Sequence, residues 1–167
     1  MRLFLIRHGE SEANRAGTLD GYGDAALTDL GRAQAAQLAT QAAGWNLRNA
    51  RLITSPMRRA RHTADALGAA LALTALEDRR LTAGEGRVSL EVEAAGPEVA
   101  AAIEDAWRHD GDLIAVSHRF PMFALLSLHY TQAVARPLME GVGNCDAVEI
   151  SRRDGGYAAP VHLRLTR

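Results

Sequence analysis

Short apolar runs alternate along the chain with longer stretches of helix-forming character, the pattern of an α/β domain. Leu3-Phe4-Leu5-Ile6 is an apolar run of strand length that stops abruptly on Arg7-His8-Gly9. Arg51-Leu52-Ile53-Thr54 reads as a second short strand, and Asp112 to His118 as another, again ending on a histidine. Between them, a polar, glycine-bearing stretch from Glu10 to Asp24 is long enough to suggest function. Leu27 to Arg32 leads into a helix-forming run through about Ala43. Ser55-Pro56 predicts the start of a helix to about Ala70, with serine as N-cap and proline at the first helical position. A looser segment from Leu73 to Glu93 precedes helices expected from about Pro97 to Arg108 and from about Pro121 to Tyr130. The tail, Asp146 to Ser151 and Tyr157 to Leu165 with a turn at Asp154-Gly155-Gly156, resembles a hairpin. No long linker, charge block or low-complexity tract interrupts this order, so one domain spanning residues 1–167 is expected.

Composition narrows the classes. With 167 residues and 47% hydrophobic content, the chain suits a single packed domain. No apolar stretch reaches the roughly 20 residues of a membrane span, and Arg7 and His8 interrupt the first apolar segment too early for a secretory signal. A cytoplasmic protein without membrane association is expected. Cys145 is the only cysteine, so an internal disulfide is impossible. The net charge of -1 offers no general footprint for nucleic acid. All 19 Lys+Arg residues are arginines, which excludes lysine Schiff-base chemistry and the phosphate-loop lysine.

Three strands end at Arg7-His8, at Ser55-Pro56-Met57-Arg58 and at Ser117-His118. If they are parallel neighbours, their carboxyl ends open on one crevice, where α/β sheets place ligands. Arg58, Arg59 and Arg61 crowd the first turns of a helix, where the macrodipole disfavours cations by about 0.3–1 kcal/mol each. A bound anion, most simply a phosphate, would resolve that conflict by taking both guanidinium and backbone N–H donors.

The residue types then suggest a chemistry. A neutral imidazole can attack phosphorus and carry the phosphoryl group, which makes His8 the candidate nucleophile. Arginines fit the equatorial oxygens of a transferring phosphoryl group, and a protonated His118 would act with them. That division of labour requires surroundings that push the two histidine pKa values apart. A lone strand-end histidine is more often structural, and a metal site is a rival. No zinc-type spacing occurs, and arginines beside both histidines would repel a cation, so no metal and no cofactor are expected. His62, His109, His129 and His162 are read as surface or structural. Gly21 to Ala26 fits a loose dinucleotide fingerprint, but without a preceding strand it carries little weight.

These residues resemble the histidine phosphatase superfamily, also called phosphoglycerate mutase-like. Arg7-His8-Gly9-Glu10-Ser11-Glu12-Ala13-Asn14 is similar to its signature, and Leu27 to Ala35 to its first-helix motif. Ser55 to Ala64 is similar to the segment supplying its second arginine, and Val116-Ser117-His118 to that of its second histidine. The resemblance implies a three-layer α/β/α sandwich around a largely parallel sheet. It implies that His8 becomes phosphorylated and that Arg7, Arg58 and His118 complete the phosphate pocket, with Ser11 and Asn14 contacting phosphate or positioning substrate. Asn144 falls in a family-like stretch and is read as structural.

Two departures bear on substrate. Members with a proton donor commonly place a glutamate soon after an Arg-Leu pair, but here Arg80-Leu81 is followed by Thr82-Ala83 and the matching position is Ala83. Glu85, between glycines, is the candidate proton donor. Arg119 stands where many members have glycine, and His118-Arg119-Phe120-Pro121 resembles the histidine-x-proline pattern of small bacterial phosphohistidine phosphatases. The expected activity is a histidine acid phosphatase-like hydrolase of a phosphorylated small molecule or a phosphohistidine protein. The alternatives are a mutase-type phosphoryl transferase and a weakly catalytic phosphate-binding domain.

Overall fold

The computed structural model describes residues 1–17, 23–82, 94–153 and 156–166. Strand β1 (Arg2–Arg7) lies inside a seven-stranded sheet with β2 (Arg51–Thr54), β3 (Ala75–Glu77), β4 (Leu113–Ser117), β5 (Ala147–Arg153), β6 (Gly156–Tyr157) and β7 (Val161–Leu163). The strand order is β3-β2-β4-β1-β5-β6, with β7 also paired to β5. Strands β1 to β4 are parallel, and β5 runs antiparallel to β1, so the sheet is mixed but largely parallel at its centre.

The side-chain period of two sorts the central strands between two cores. Leu3 and Leu5 of β1 join Leu113, Ala115, Val148 and Ile150 on one face; Phe4 and Ile6 join Leu52, Ile114 and Val116 on the other. The second face is covered by α2 (Asp29–Ala42) and α3 (Arg58–Leu71), which supply Leu38, Ala39, Ala64 and Leu67. The first is covered by α4 (Gly96–Ala106), α5 (Arg119–His129) and α6 (Gln132–Gly141), which supply Val99, Ile103, Met122, Leu126 and Met139. Burial on both faces explains why β1 and β4 are continuously apolar rather than alternating. The result is a three-layer α/β/α fold. No helix among the described residues is long and apolar enough to cross a membrane.

Several boundaries differ from the sequence expectation. Helix α3 starts at Arg58 with Met57 as N-cap, not at Pro56 with Ser55 as cap. The Ser55 hydroxyl instead accepts the Met57 N–H at 3.2 Å, closing a short turn across Pro56 before the helix begins. Helix α5 starts at Arg119, so Pro121 sits in its first turn, where a missing N–H costs nothing. Helix α6, which carries Pro137 inside it, has no counterpart among the expected elements. The tail is more than a hairpin: β5 pairs with β1 on one edge and with both β6 and β7 on the other.

Two glycines set the packing around the end of β1. A Cβ on Gly9 would lie 2.6 Å from the Gly31 carbonyl oxygen, and one on Gly31 would lie 1.9 Å from that of Glu10. The start of α2 therefore rests directly on the backbone that follows His8. This contact gives a physical reason for glycine in both Arg7-His8-Gly9 and Leu30-Gly31-Arg32.

Candidate active site

Register places the candidate histidines. β1 and β4 pair through Arg7↔Ser117, and β4 and β2 through Thr54↔Val116. The ladder continues past the strands, with the His8 N–H donating to Ser117 O and the Ser55 N–H to Val116 O, both at 3.0 Å. His8, Ser55 and His118 thus emerge beside one another at the carboxyl edge. The two imidazoles lie 5.0 Å apart between ring centroids, inclined at 60°. His8 and His118 are both buried.

The hydrogen bonds of His8 assign its tautomer. Nδ1 lies 2.7 Å from the Gly9 carbonyl oxygen, which can only accept, so Nδ1 carries the proton. Nε2 accepts from Nε of Arg59 at 3.2 Å, so it is unprotonated and its lone pair is directed at that guanidinium. Burial pushes the His8 pKa from 6.5 down to about 3; the Gly9 hydrogen bond opposes this shift, and the charges of Arg59 and Arg7 add to it. His118 also lies well below its ordinary value, through burial first and then through His8, Arg59 and Arg7. Without an anion, the surroundings therefore push both rings toward the neutral form. A bound dianion would oppose the arginine charge and favour a proton on His118.

The α3 arginine that lies beside His8 is Arg59, whereas Arg58, expected there, faces solvent. Arg59 is buried at 2% exposure, and its guanidinium also reaches Gly23 O at 3.3 Å and Met57 Sδ at 3.3 Å. Arg58 is exposed, and its backbone N–H donates to Asp24 Oδ1 at 2.6 Å. The physical reason is helix phase. Arg59, Thr63 and Leu67 are spaced at i, i+4 and i+8 and share the buried face, whereas Arg58, Arg61 and His62 point outward. Asp24 also relieves part of the conflict between these arginines and the start of α3.

The remaining expected residues fall around this pair. Arg7 donates through Nη1 to the Val142 carbonyl at 3.0 Å, and its charge acts on both histidines. Ser11 is buried as the N-cap of α1 (Glu12–Ala16). Its hydroxyl accepts the Asn14 N–H at 3.3 Å, and its own N–H donates to Asn14 Oδ1 at 3.1 Å, a reciprocal cap. Asn144 links that cap to the end of β1, with Nδ2 donating to His8 O at 2.9 Å and to Asn14 Oδ1 at 3.2 Å. Glu85 and Ala83 lie outside the described residues.

Sequence reasoning missed three contributors. Ser55 Oγ is 2.8 Å from His118 Nε2, a role hidden by the Ser-Pro cap pattern. Thr63 Oγ1 accepts the Gly9 N–H at 3.1 Å and donates to Arg59 O at 2.8 Å, tying α3 to the histidine loop. Its spacing of four from Arg59 was the available signal. Cys145 adopts φ +60° and donates its N–H to Arg7 O at 2.9 Å. Among the described residues, no group of three or more His, Cys, Asp or Glu side chains could hold a metal ion.

The fold and its contents define an α/β domain with a buried histidine–arginine pocket at the carboxyl edge of its sheet. The profile of the histidine phosphatase superfamily (branch 1) matches residues 3–97, more than half of the sequence, and the chain belongs to that family. It is similar to the adenosylcobalamin/alpha-ribazole phosphatase of Salmonella typhimurium, 48% identical over 67 residues that cover 38% of this chain and 31% of that protein. It is also similar to the glucosyl-3-phosphoglycerate phosphatase of Mycolicibacterium vanbaalenii, 36% identical over 114 residues, covering 65% and 48%. The chain thus spans 31% and 48% of the lengths of these two relatives. Among solved structures, mycobacterial hydrolase 1 superposes with a TM-score of 0.80 at 21% identity over 99% of both chains. The phosphoserine phosphatase of Entamoeba histolytica, in complex with 3-phosphoglyceric acid, superposes with a TM-score of 0.76 at 20% identity, covering 98% and 96%. These two likenesses establish the fold.

Proposed function

We propose that this chain is a phosphatase that works through a phosphohistidine on Nε2 of His8. The observation that carries this reading is the orientation of the imidazole: Nδ1–H is fixed on the Gly9 carbonyl, and the Nε2 lone pair points at Arg59. As substrate binds, Arg59 Nε–H leaves Nε2 for a phosphoryl oxygen; Nε2 then attacks phosphorus, an N–P bond forms, and the bond to the leaving group breaks. Arg59, Arg7 and His118, which takes up a proton from solvent as the dianion binds, hold the three equatorial oxygens. A water then attacks the phosphohistidine, releasing inorganic phosphate and restoring His8.

The leaving group must take up a proton. A positioned acid is worth about 10²–10⁴-fold for an ordinary ester and less for a phosphoramidate or an activated phosphate. With Ala83 at the usual acid position, the sequence favours a phosphohistidine or a small phosphate ester with a good leaving group. Glu85 is the candidate donor for poorer ones. Hydrolysis of p-nitrophenyl phosphate tests the proposal, because its leaving group needs little protonation. Turnover by the wild type and a fall of at least about 10³-fold in His8→Ala are expected. No turnover in the wild type, or undiminished turnover in the variant, contradicts it.

A further inference from the structure

Arg119 departs from the family pattern, and phosphoryl transfer at His8 gives it no task. It lies on the wall of a cleft of about 270 Å³ between α5 and α6, lined by Arg119, Phe120, Phe123, Arg136, Met139 and Glu140. That volume is near the lower end for small-molecule sites.

Both walls are continuous in sequence with residues of the histidine–arginine cluster. Arg119 follows His118 without an intervening residue. Two residues beyond Glu140, the Val142 carbonyl accepts from Arg7, and Asn144 then grips the His8 carbonyl. Helix α5 begins with no acidic residue in its first turn and no side-chain cap on its N-terminal N–H groups. Arg119 and Arg136 are exposed, and neither forms an ion pair among the described residues, including with Glu140. Among the described lining residues, two guanidinium groups stand against one carboxylate. Phe120 and Phe123 are half-buried, so each gives the cleft a fixed apolar surface.

We infer that this cleft receives the leaving-group side of the substrate and selects phosphorylated compounds whose leaving group carries a second anionic group on a flat or apolar body. Arg119 and Arg136 bind the anion by charge-assisted hydrogen bonds, and Phe120 and Phe123 contact the body. The inference rests on the phosphatase reading for the word substrate, but binding tests it without turnover.

A matched pair of non-hydrolysable probes isolates the second anion: benzylphosphonate and 3-carboxybenzylphosphonate, titrated calorimetrically into the whole chain. The carboxylated probe should bind about tenfold or more tightly to the wild type. The ratio should fall towards one in the Arg119→Ala/Arg136→Ala double variant and be partly restored by Arg119→Lys in the Arg136→Ala background. The same ratio is read in kcat/KM for phenyl phosphate and 3-carboxyphenyl phosphate. Equal binding of the two probes by the wild type, or a preference that survives the double substitution, overturns the inference. Absence of turnover with an intact binding preference instead overturns the phosphatase reading and leaves the cleft assignment standing.

Discussion

Helices α2 and α3 pack on the same face of the sheet and both begin near its carboxyl edge, yet their first turns are built differently. In α2, Thr28 Oγ1 accepts the Gly31 N–H at 2.9 Å and Asp29 places a negative charge in the first turn, so the helix completes itself from its own sequence. In α3, Met57 offers no side-chain cap, the first turn has no acid, and Arg58, Arg59 and Arg61 stand where the dipole is positive. Its first N–H is taken by Asp24, more than thirty residues away in sequence, and Arg59 turns inward to His8. The self-contained helix start supports the fold. The other breaks local rules and turns a buried arginine toward His8, a violation of the kind expected at functional sites.

The comparison breaks most visibly at the paired arginines of α3. Arg59→Ala should lower kcat/KM for p-nitrophenyl phosphate by about 10²–10³-fold, the usual cost of losing a donor to a transition-state oxyanion. Arg58→Ala should change it by less than about threefold. The reverse order would return the second arginine to position 58. A smaller effect comes from protonation. His8 titrates near 3 in the folded chain against 6.5 when free. Between those values the unfolded chain binds more protons, so stability rises with pH across that window, by at most about 1.4 kcal/mol per pH unit from this group. Urea midpoints measured from pH 4 to 6.5 should therefore climb less steeply in His8→Ala than in the wild type, and parallel slopes would mean His8 is not held neutral. At α2 the smallest change is expected: Thr28→Ala should cost about 1 kcal/mol of stability, read as a lowered thermal midpoint, with kcat left within twofold.

Much of this architecture is legible in the residues. The apolar runs Leu3–Ile6 and Leu113–Val116 are buried on both faces, so their hydrophobicity alone marks them as central strands, and the polar residues where they stop mark the site. What stayed hidden depends on phase and on distant partners. Reading Ser55-Pro56 as cap and first residue starts α3 two positions early; the inward arginine follows instead from the four-residue spacing of Arg59, Thr63 and Leu67. The hydroxyl that looked like a cap serves Met57 and His118 instead. Asn144 and Cys145 grip the Arg7–His8 backbone from more than 130 residues away, a contact created by the pairing of β5 with β1.

The central claim is that His8 accepts the phosphoryl group on Nε2 because Nδ1 is committed to Gly9. Trapping the phosphoenzyme by rapid quench at neutral-to-alkaline pH, followed by peptide mapping and phosphorus NMR of the labelled peptide, reads both the residue and the nitrogen. The account predicts an acid-labile phosphate on Nε2 of His8. A phosphate on Nδ1 or on another residue, or turnover with no phosphoenzyme, would contradict it.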